Sequence, residues 1–377
     1  MSITVNPGLI REIKRYGAFD ISACFNCGNC TAVCPLSTEN GSFPRRLIRM
    51  GQIGNREALL QSPETWLCYY CGECSDTCPR QAEPGEYMAA VRRYAIAANE
   101  PSGIARVMYQ SGVAAVLITL LVGIVMAAFL ATTKMGHNPG HWLFQSVSYE
   151  AIHYIGLAVF VLTALTIIGG VGNVVRRMNR GMAGTTDARP GLPDMLRAAR
   201  RVIVEIATMK RHRETTEDSP NWPWYRREAW IHLGIMYGFL GLLLATTLDF
   251  VFLVLLPLHL TVFWPARIIG TVSGLVMLWG VSAAILRRLA KVEKNATFSR
   301  LPDWWVLVFL FVLAVTGFWL EVAVTLHLAS PVNDLVLLVH AAMAMELVLL
   351  MAFTKMAHIL YRPIALFMYY LRAPEAA

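Results

Sequence analysis

All eight cysteines of the chain fall in two short runs, CFNCGNCTAVCP and CYYCGECSDTCP. At a constant offset of 44 residues, Cys24, Cys27, Cys30 and Cys34 match Cys68, Cys71, Cys74 and Cys78, while Gly28 matches Gly72 and Pro35 matches Pro79. In such a run three thiolates reach three corners of a cubane, and the fourth, followed by proline, turns toward a second cluster. Two runs complete each other. They predict one [4Fe-4S] cluster on Cys24, Cys27, Cys30 and Cys78, and another on Cys68, Cys71, Cys74 and Cys34. Structural zinc is the competing use of these residues. Zinc usually takes its four ligands as two separated pairs, so three close cysteines plus a fourth favour iron and sulfur.

Histidine is the second chemistry-bearing type. Of the nine, His137, His141 and His259 fall in loops on the outer side of the expected bilayer, His212 in an inner loop and His327 at an outer span end. The other four, His153, His232, His340 and His358, lie within apolar segments, where an imidazole is costly enough to suggest function. His340 and His358 are 18 residues apart. On one continuous helix that separation is about five turns and about 27 Å, which puts both rings on one face near opposite membrane surfaces. Paired by depth, His232 with His358 and His153 with His340 predict two bis-histidine b-type haem sites, one inner and one outer. The alternative is a single haem, with the other two histidines bonding across helices.

Three carboxylates also enter the apolar segments: Glu346 near mid-span, and Asp249 and Glu321 toward outer ends. A carboxylate at the bilayer centre costs roughly 3 kcal/mol on insertion scales, so each is expected to face the protein interior or water. Quinol oxidation releases two protons and needs acceptors close to a haem. Asp249 and Glu321 are the expected acceptors of an external quinol pocket, against the plainer reading of neutral helix contacts. Lys355, one turn before His358, is placed either to hold a haem propionate or to snorkel to the surface.

The elements that carry these residues follow from composition. The 377 residues are 56% hydrophobic and only 15% charged, too oily for an ordinary soluble domain. Six charge-poor runs are long enough to span a bilayer: 107–133, 150–175, 229–255, 267–286, 304–328 and 332–358. Of the 33 basic residues, 11 precede the first run, 12 lie from Arg176 to Arg227, five from Arg287 to Arg300 and three at or after Lys355. Only Lys134 and Arg267 fall on the other side. This bias places both termini and the cysteine runs in the cytoplasm of a multi-pass inner-membrane protein, so the net charge of +8 signals topology and not nucleic-acid binding. The first twenty residues contain no apolar stretch typical of a secretory signal, and in a reducing compartment clustered cysteines are metal ligands. The inner loop 181–227 contains an amphipathic helix from Asp194 to Lys210, then Trp222, Trp224, Tyr225 and Trp230. Both suit the membrane surface, with docking of a soluble partner as the alternative.

Between the cysteine runs Leu47, Ile48, Met50, Leu59 and Leu60 recur at helical spacing, and Tyr87, Val91, Tyr94 and Ala95 do so after them. The whole chain reads as all-α: residues 1–100 a cysteine-bearing domain, residues 101–377 a six-helix cytochrome b bundle.

The segments CFNCGNCTAVCP, PRRLIRM and WLCYYCGECSDTCP resemble the C subunit of heterodisulfide reductases, a resemblance that implies an α-helical ferredoxin fold for residues 1–100. The last span and HLGIMYGFLG from His232 resemble the cytochrome b subunit of respiratory nitrate reductase, except that Leu242 stands where that family has a second histidine. The fusion resembles the membrane subunit of quinone-interacting membrane-bound oxidoreductase complexes of sulfate reducers. That resemblance implies menaquinol as electron donor, two flavin and iron-sulfur partner subunits, and electron flow toward adenylylsulfate reductase. No dinucleotide-binding motif is present, so partners are expected to supply the terminal chemistry. Two alternatives remain: a heterodisulfide-reductase-like complex with another acceptor, and a membrane-anchored iron-sulfur sensor. A transporter reading lacks internal span repeats.

Overall fold

The computed structural model describes residues 5–37, 41–134, 142–182, 190–215, 222–256, 265–292 and 294–372. His137, His141, His259 and parts of the 181–227 loop lie outside them. Among the described residues the fold is all-α, with no strand. The cysteine-bearing unit holds α1 (Leu9–Lys14), α2 (Asn29–Val33), α3 (Arg45–Gln52), α4 (Arg56–Gln61), α5 (Glu73–Asp76) and α6 (Pro84–Asn99). Then come α7 (Ile104–Gln110), α8 (Gly112–Thr132), α9 (Tyr149–Met182), α10 (Leu192–Thr208) and α11 (Lys210–Thr215). The chain continues through α12 (Glu228–Phe250), α13 (Ala266–Leu289), α14 (Leu301–Thr325), α15 (Pro331–Leu350) and α16 (His358–Arg372).

Six helices, α8, α9 and α12 to α15, are long and apolar enough to cross a membrane. Three ends differ from the sequence expectation for physical reasons. The first span starts later, because Ser111 is extended and its hydroxyl accepts a hydrogen bond from Ala114 N at 3.2 Å, capping a new helix. The second runs past residue 175 to Met182 and is about 51 Å long, well beyond a hydrocarbon slab of about 30 Å. Its extra turns insert Val174 and Met178 into the core of the cysteine unit, and Asn173 donates to Asn99 O at 2.8 Å.

The third difference corrects the sequence argument. The run 332–358 is not one helix: α15 stops at Leu350, Thr354 is extended (φ −112°, ψ −175°), and α16 begins at His358. The chain turns because α16 has its own face to bury, with Tyr361, Ala365 and Leu366 almost inaccessible and Tyr361 meeting Trp66 edge-on at 5.7 Å. His340 and His358 therefore sit on separate helices.

One continuous hydrophobic core runs from Leu9 and Leu47 in the cysteine unit through Trp66 and Tyr109 to Met277, Trp305 and Tyr361. A second core, built on Leu130, Ile155 and Leu337, closes the opposite end of the bundle. Helices α12 and α13 approach closely through small residues. A side chain at Gly238 would start 2.6 Å from Met277 Cβ and 2.7 Å from its backbone nitrogen, so only glycine lets the backbones meet there.

Candidate functional site

The cysteine loops repeat in backbone as well as in sequence. Asn26 and Tyr70 both have positive φ (62° and 67°), and Gly28 and Gly72 both occupy the left-handed region (95° and 100°) before α2 and α5. Each loop thus turns twice within one short segment. All eight thiols are free. Burial pushes Cys30 up to about 11, and its thiol neighbours are Cys24, Cys27 and Cys78. Burial pushes Cys34 up to about 12, and the charges of Cys68, Cys71 and Cys30 add to that rise. Burial also raises Cys74, and the charges of Cys68, Cys71, Cys34 and Cys30 act in the same direction. Cys30 thus feels Cys24, Cys27 and Cys78, and Cys34 and Cys74 feel Cys68 and Cys71, with Cys30 between the two groups and acting on both Cys34 and Cys74. Cys34, Cys68, Cys71 and Cys74 line a single cavity. Among the described residues no three side chains converge tightly enough for one metal ion, whereas a cubane needs thiols spread around a larger body. The buried, protonated thiols must release protons to take up iron.

The second run faces the rest of the molecule. Tyr69 lies under the Arg362 guanidinium, 4.1 Å from its ring centroid, stacks on His212 at 5.0 Å and donates to Glu205. The sequence places His212 in an inner loop, where a histidine needs no special role. Here it is buried, and burial brings its pKa down to about 3, leaving it neutral. Arg92 donates to the carbonyls of Thr65 and Cys68, with its pKa brought down to about 10 by burial. Tyr70 donates to Glu86 Oε2 at 2.5 Å, and Glu86 Oε1 accepts from Arg93 at 3.1 Å. Arg93 also meets Asp303 of α14 at 3.1 Å, and Asp303 accepts from Lys355 at 3.0 Å. Burial opposes the charge on Arg93, but Asp303 and Glu86 outweigh it and raise its pKa above the usual guanidinium value. A polar chain, buried as far as Asp303, thus runs from the second cysteine loop to the exposed Lys355 in the turn before His358. The pair Arg92–Arg93 in a buried helix face was its one sequence signal.

At the end of that chain stand His232 of α12 and His358 of α16, rings 6.3 Å apart at 66°. Two axial nitrogens ~2 Å from one iron, with ring centres ~1 Å farther out, put imidazole centroids roughly 6 Å apart, so the pair fits bis-imidazole ligation. His358 Nδ1 is 2.5 Å from Lys355 O, which fixes that nitrogen as the donor and leaves Nε2 free. His232 Nδ1 is buried with no hydrogen-bond partner among the described residues.

The far end is arranged differently. His153 Nδ1 donates to Tyr149 O at 2.9 Å, its Nε2 stands 3.7 Å from Asp249 Oδ2, and its ring stacks on Phe250 at 5.7 Å. Tyr149 donates to the same Asp249 oxygen at 2.9 Å. His340 Nδ1 lies 2.8 Å from Thr316 Oγ1. No ring contact joins His153 to His340 among the described residues. Glu321 is held by Arg267 at 2.6 Å, so this carboxylate already has a cation. Glu346 is buried beside Gly123, and its Oε1 has no partner among the described residues. His327 is exposed at the end of α14.

Comparison with known proteins gives the cysteine unit a relationship. Residues 20–82 match the 4Fe-4S dicluster domain family. Two relatives are the C subunits of H(2):CoB-CoM heterodisulfide,ferredoxin reductase from Methanothermobacter thermautotrophicus and Methanothermobacter marburgensis. Each is 30% identical over 56 residues, which is 15% of this chain and 30% of the relative. No solved structure matches. The front of this chain is therefore an iron-sulfur electron-transfer unit related to those proteins, joined to six apolar helices.

Proposed function

We propose that this chain is the membrane subunit of a quinone-dependent oxidoreductase complex, carrying electrons from menaquinol to soluble flavin and iron-sulfur partners. The observation that carries the reading is the His232–His358 pair, spaced for one iron and reached from the second cysteine loop through Tyr69 and Arg362. His232 and His358 hold the inner b-type haem, which when bound supplies a one-electron couple. Asp303 keeps Lys355 beside His358, and Arg362, one turn further along α16, meets Tyr69. Electrons enter the cysteine unit at Cys68, Cys71, Cys74 and Cys34 and leave from Cys24, Cys27, Cys30 and Cys78. The basic loops and the cysteine unit face the cytoplasm, as the distribution of lysine and arginine argues. Adenylylsulfate reductase as final acceptor rests on the family resemblance alone.

At the far end two readings divide. In the first, His153 and His340 hold an outer haem, and Asp249 takes a proton from quinol beside it, with Glu321 as the second acceptor. In the second there is one haem, favoured by His153 facing Asp249 and His340 bonding Thr316. Quinol is then oxidised near the inner pair, because electron transfer across the remaining membrane thickness is too slow. Haem stoichiometry by pyridine haemochrome on wild type, His153→Ala and His340→Ala separates them. Two haems falling to one in both variants supports the first reading, one haem in all three supports the second, and none in any removes the haem proposal.

A further inference from the structure

The first cysteine run differs from the second in what surrounds it. The second meets α6, α10 and α16 through Arg92, Glu205 and Arg362, whereas Cys27 of the first is exposed and Phe25 beside it is 59% exposed. Sequence and fold together make this face basic. No carboxylate occurs from Ile21 to Thr38, or from Asn40 to Asn55, although the chain up to Arg106 has ten acidic residues against eleven basic ones. Helix α3 contributes Arg45 and Arg49, four residues apart and so on one face. Arg45 Nη1 lies 3.2 Å from where a side chain at Gly28 would begin, against the cluster loop itself. Arg49 lines a groove with Cys24, Phe25 and Asn26, and a second groove with Arg45 and the 43% exposed Ile53. Arg46 is different: it is paired with Glu64. Arg45 and Arg49 have no carboxylate partner among the described residues.

The loop is pinned to this helix. Gln52 donates to Cys24 O at 2.9 Å and accepts from Asn26, so Phe25 and Cys27 are held in fixed register with the two arginines. Two grooves that share Asn26 and Arg49, one lined by Phe25 and the other by Ile53 and Arg45, with guanidinium groups that no carboxylate among the described residues pairs and an exposed cysteine in the same loop as Phe25, have the anatomy of a redox docking face.

We propose that this face, Phe25, Ile53, Arg45 and Arg49 around Cys27, is the docking site of an acidic soluble electron-transfer protein, and that electrons cross it at the first cluster. The inference rests on the proposed relay for its physiological direction, but not for the existence of the site. A role for the arginines only in offsetting cluster charge predicts lost iron on their removal and no effect on docking.

The test uses the full chain in detergent with an acidic [2Fe-2S] ferredoxin as probe, pre-reduced and mixed anaerobically with oxidised protein in a stopped-flow instrument. In wild type the second-order rate of cluster reduction falls as salt rises. In Arg45→Glu/Arg49→Glu it drops by at least about tenfold at low salt and loses that salt dependence. The milder Arg45→Gln/Arg49→Gln and Phe25→Ala variants give intermediate losses. Iron content and reduction by the small cation methyl viologen radical stay at wild-type levels in the glutamine variant. An unchanged ferredoxin rate and salt slope in the charge-reversed protein with its iron retained overturns the proposal, as does loss of iron in the glutamine variant. Failure of the viologen radical to reduce wild type instead indicts the iron-sulfur reading.

Discussion

Asp303 holds two cations of very different value. Its partner Arg93 has a side chain only 9% exposed, while that of Lys355 is 48% exposed. Removing one member of a buried pair leaves an uncompensated charge and costs about 3–5 kcal/mol, whereas a solvated pair contributes about 0–1 kcal/mol. Arg93→Ala is expected to lower the thermal midpoint of the detergent-solubilised protein sharply, and Lys355→Ala to leave it nearly unchanged. Equal effects in the two variants contradict this assignment. At this scale the sequence was uneven. The cysteine runs announced their chemistry, because ligand spacing is local. The contact between Arg93 and Asp303 spans 210 residues, and nothing local marks it. His212 looked like a loop histidine, because its burial depends on Tyr69 arriving from another unit.

Helices transmit position to these residues. His232 is held where it is by α12 lying backbone to backbone on α13, with Gly234 against Trp279 and Gly238 against Met277. Gly238→Leu forces the helices apart and is expected to destabilise by at least about 1–3 kcal/mol, the usual cost of overpacking. It should also reduce haem retention while iron in the cysteine unit is kept; retention of haem at wild-type levels would show that the α12–α13 contact does not position the ligand. The length of charge-poor runs located all six apolar helices, yet one run passed through the break between α15 and α16. The stretch AFTKMAHIL contains neither glycine nor proline, and the turn at Thr354 arises from what α16 packs against. The depth argument still brought His232 to His358, since both lie near the cysteine-unit end whichever way α16 leaves.

For the whole molecule the determining feature is that the cysteine unit and the helix bundle share a core, joined by α9, α16 and the polar chain through Arg93. Orientation follows from charge: reporter fusions ending at Lys134 and at Arg288 are expected on opposite sides of the membrane, the latter with the cysteine unit. Signals from the same side would mean that one of the three helices between them does not cross; opposite sides with Lys134 inside would reverse the topology and separate the clusters from a cytoplasmic acceptor. The account as a whole is tested most directly by anaerobic mixing of a menaquinol analogue with wild type, His232→Ala and His358→Ala, following the clusters by electron paramagnetic resonance. Clusters reduced in wild type, unreduced by quinol in both variants yet reducible there by dithionite, is the predicted result. Reduction by quinol at the wild-type rate in either variant would contradict it.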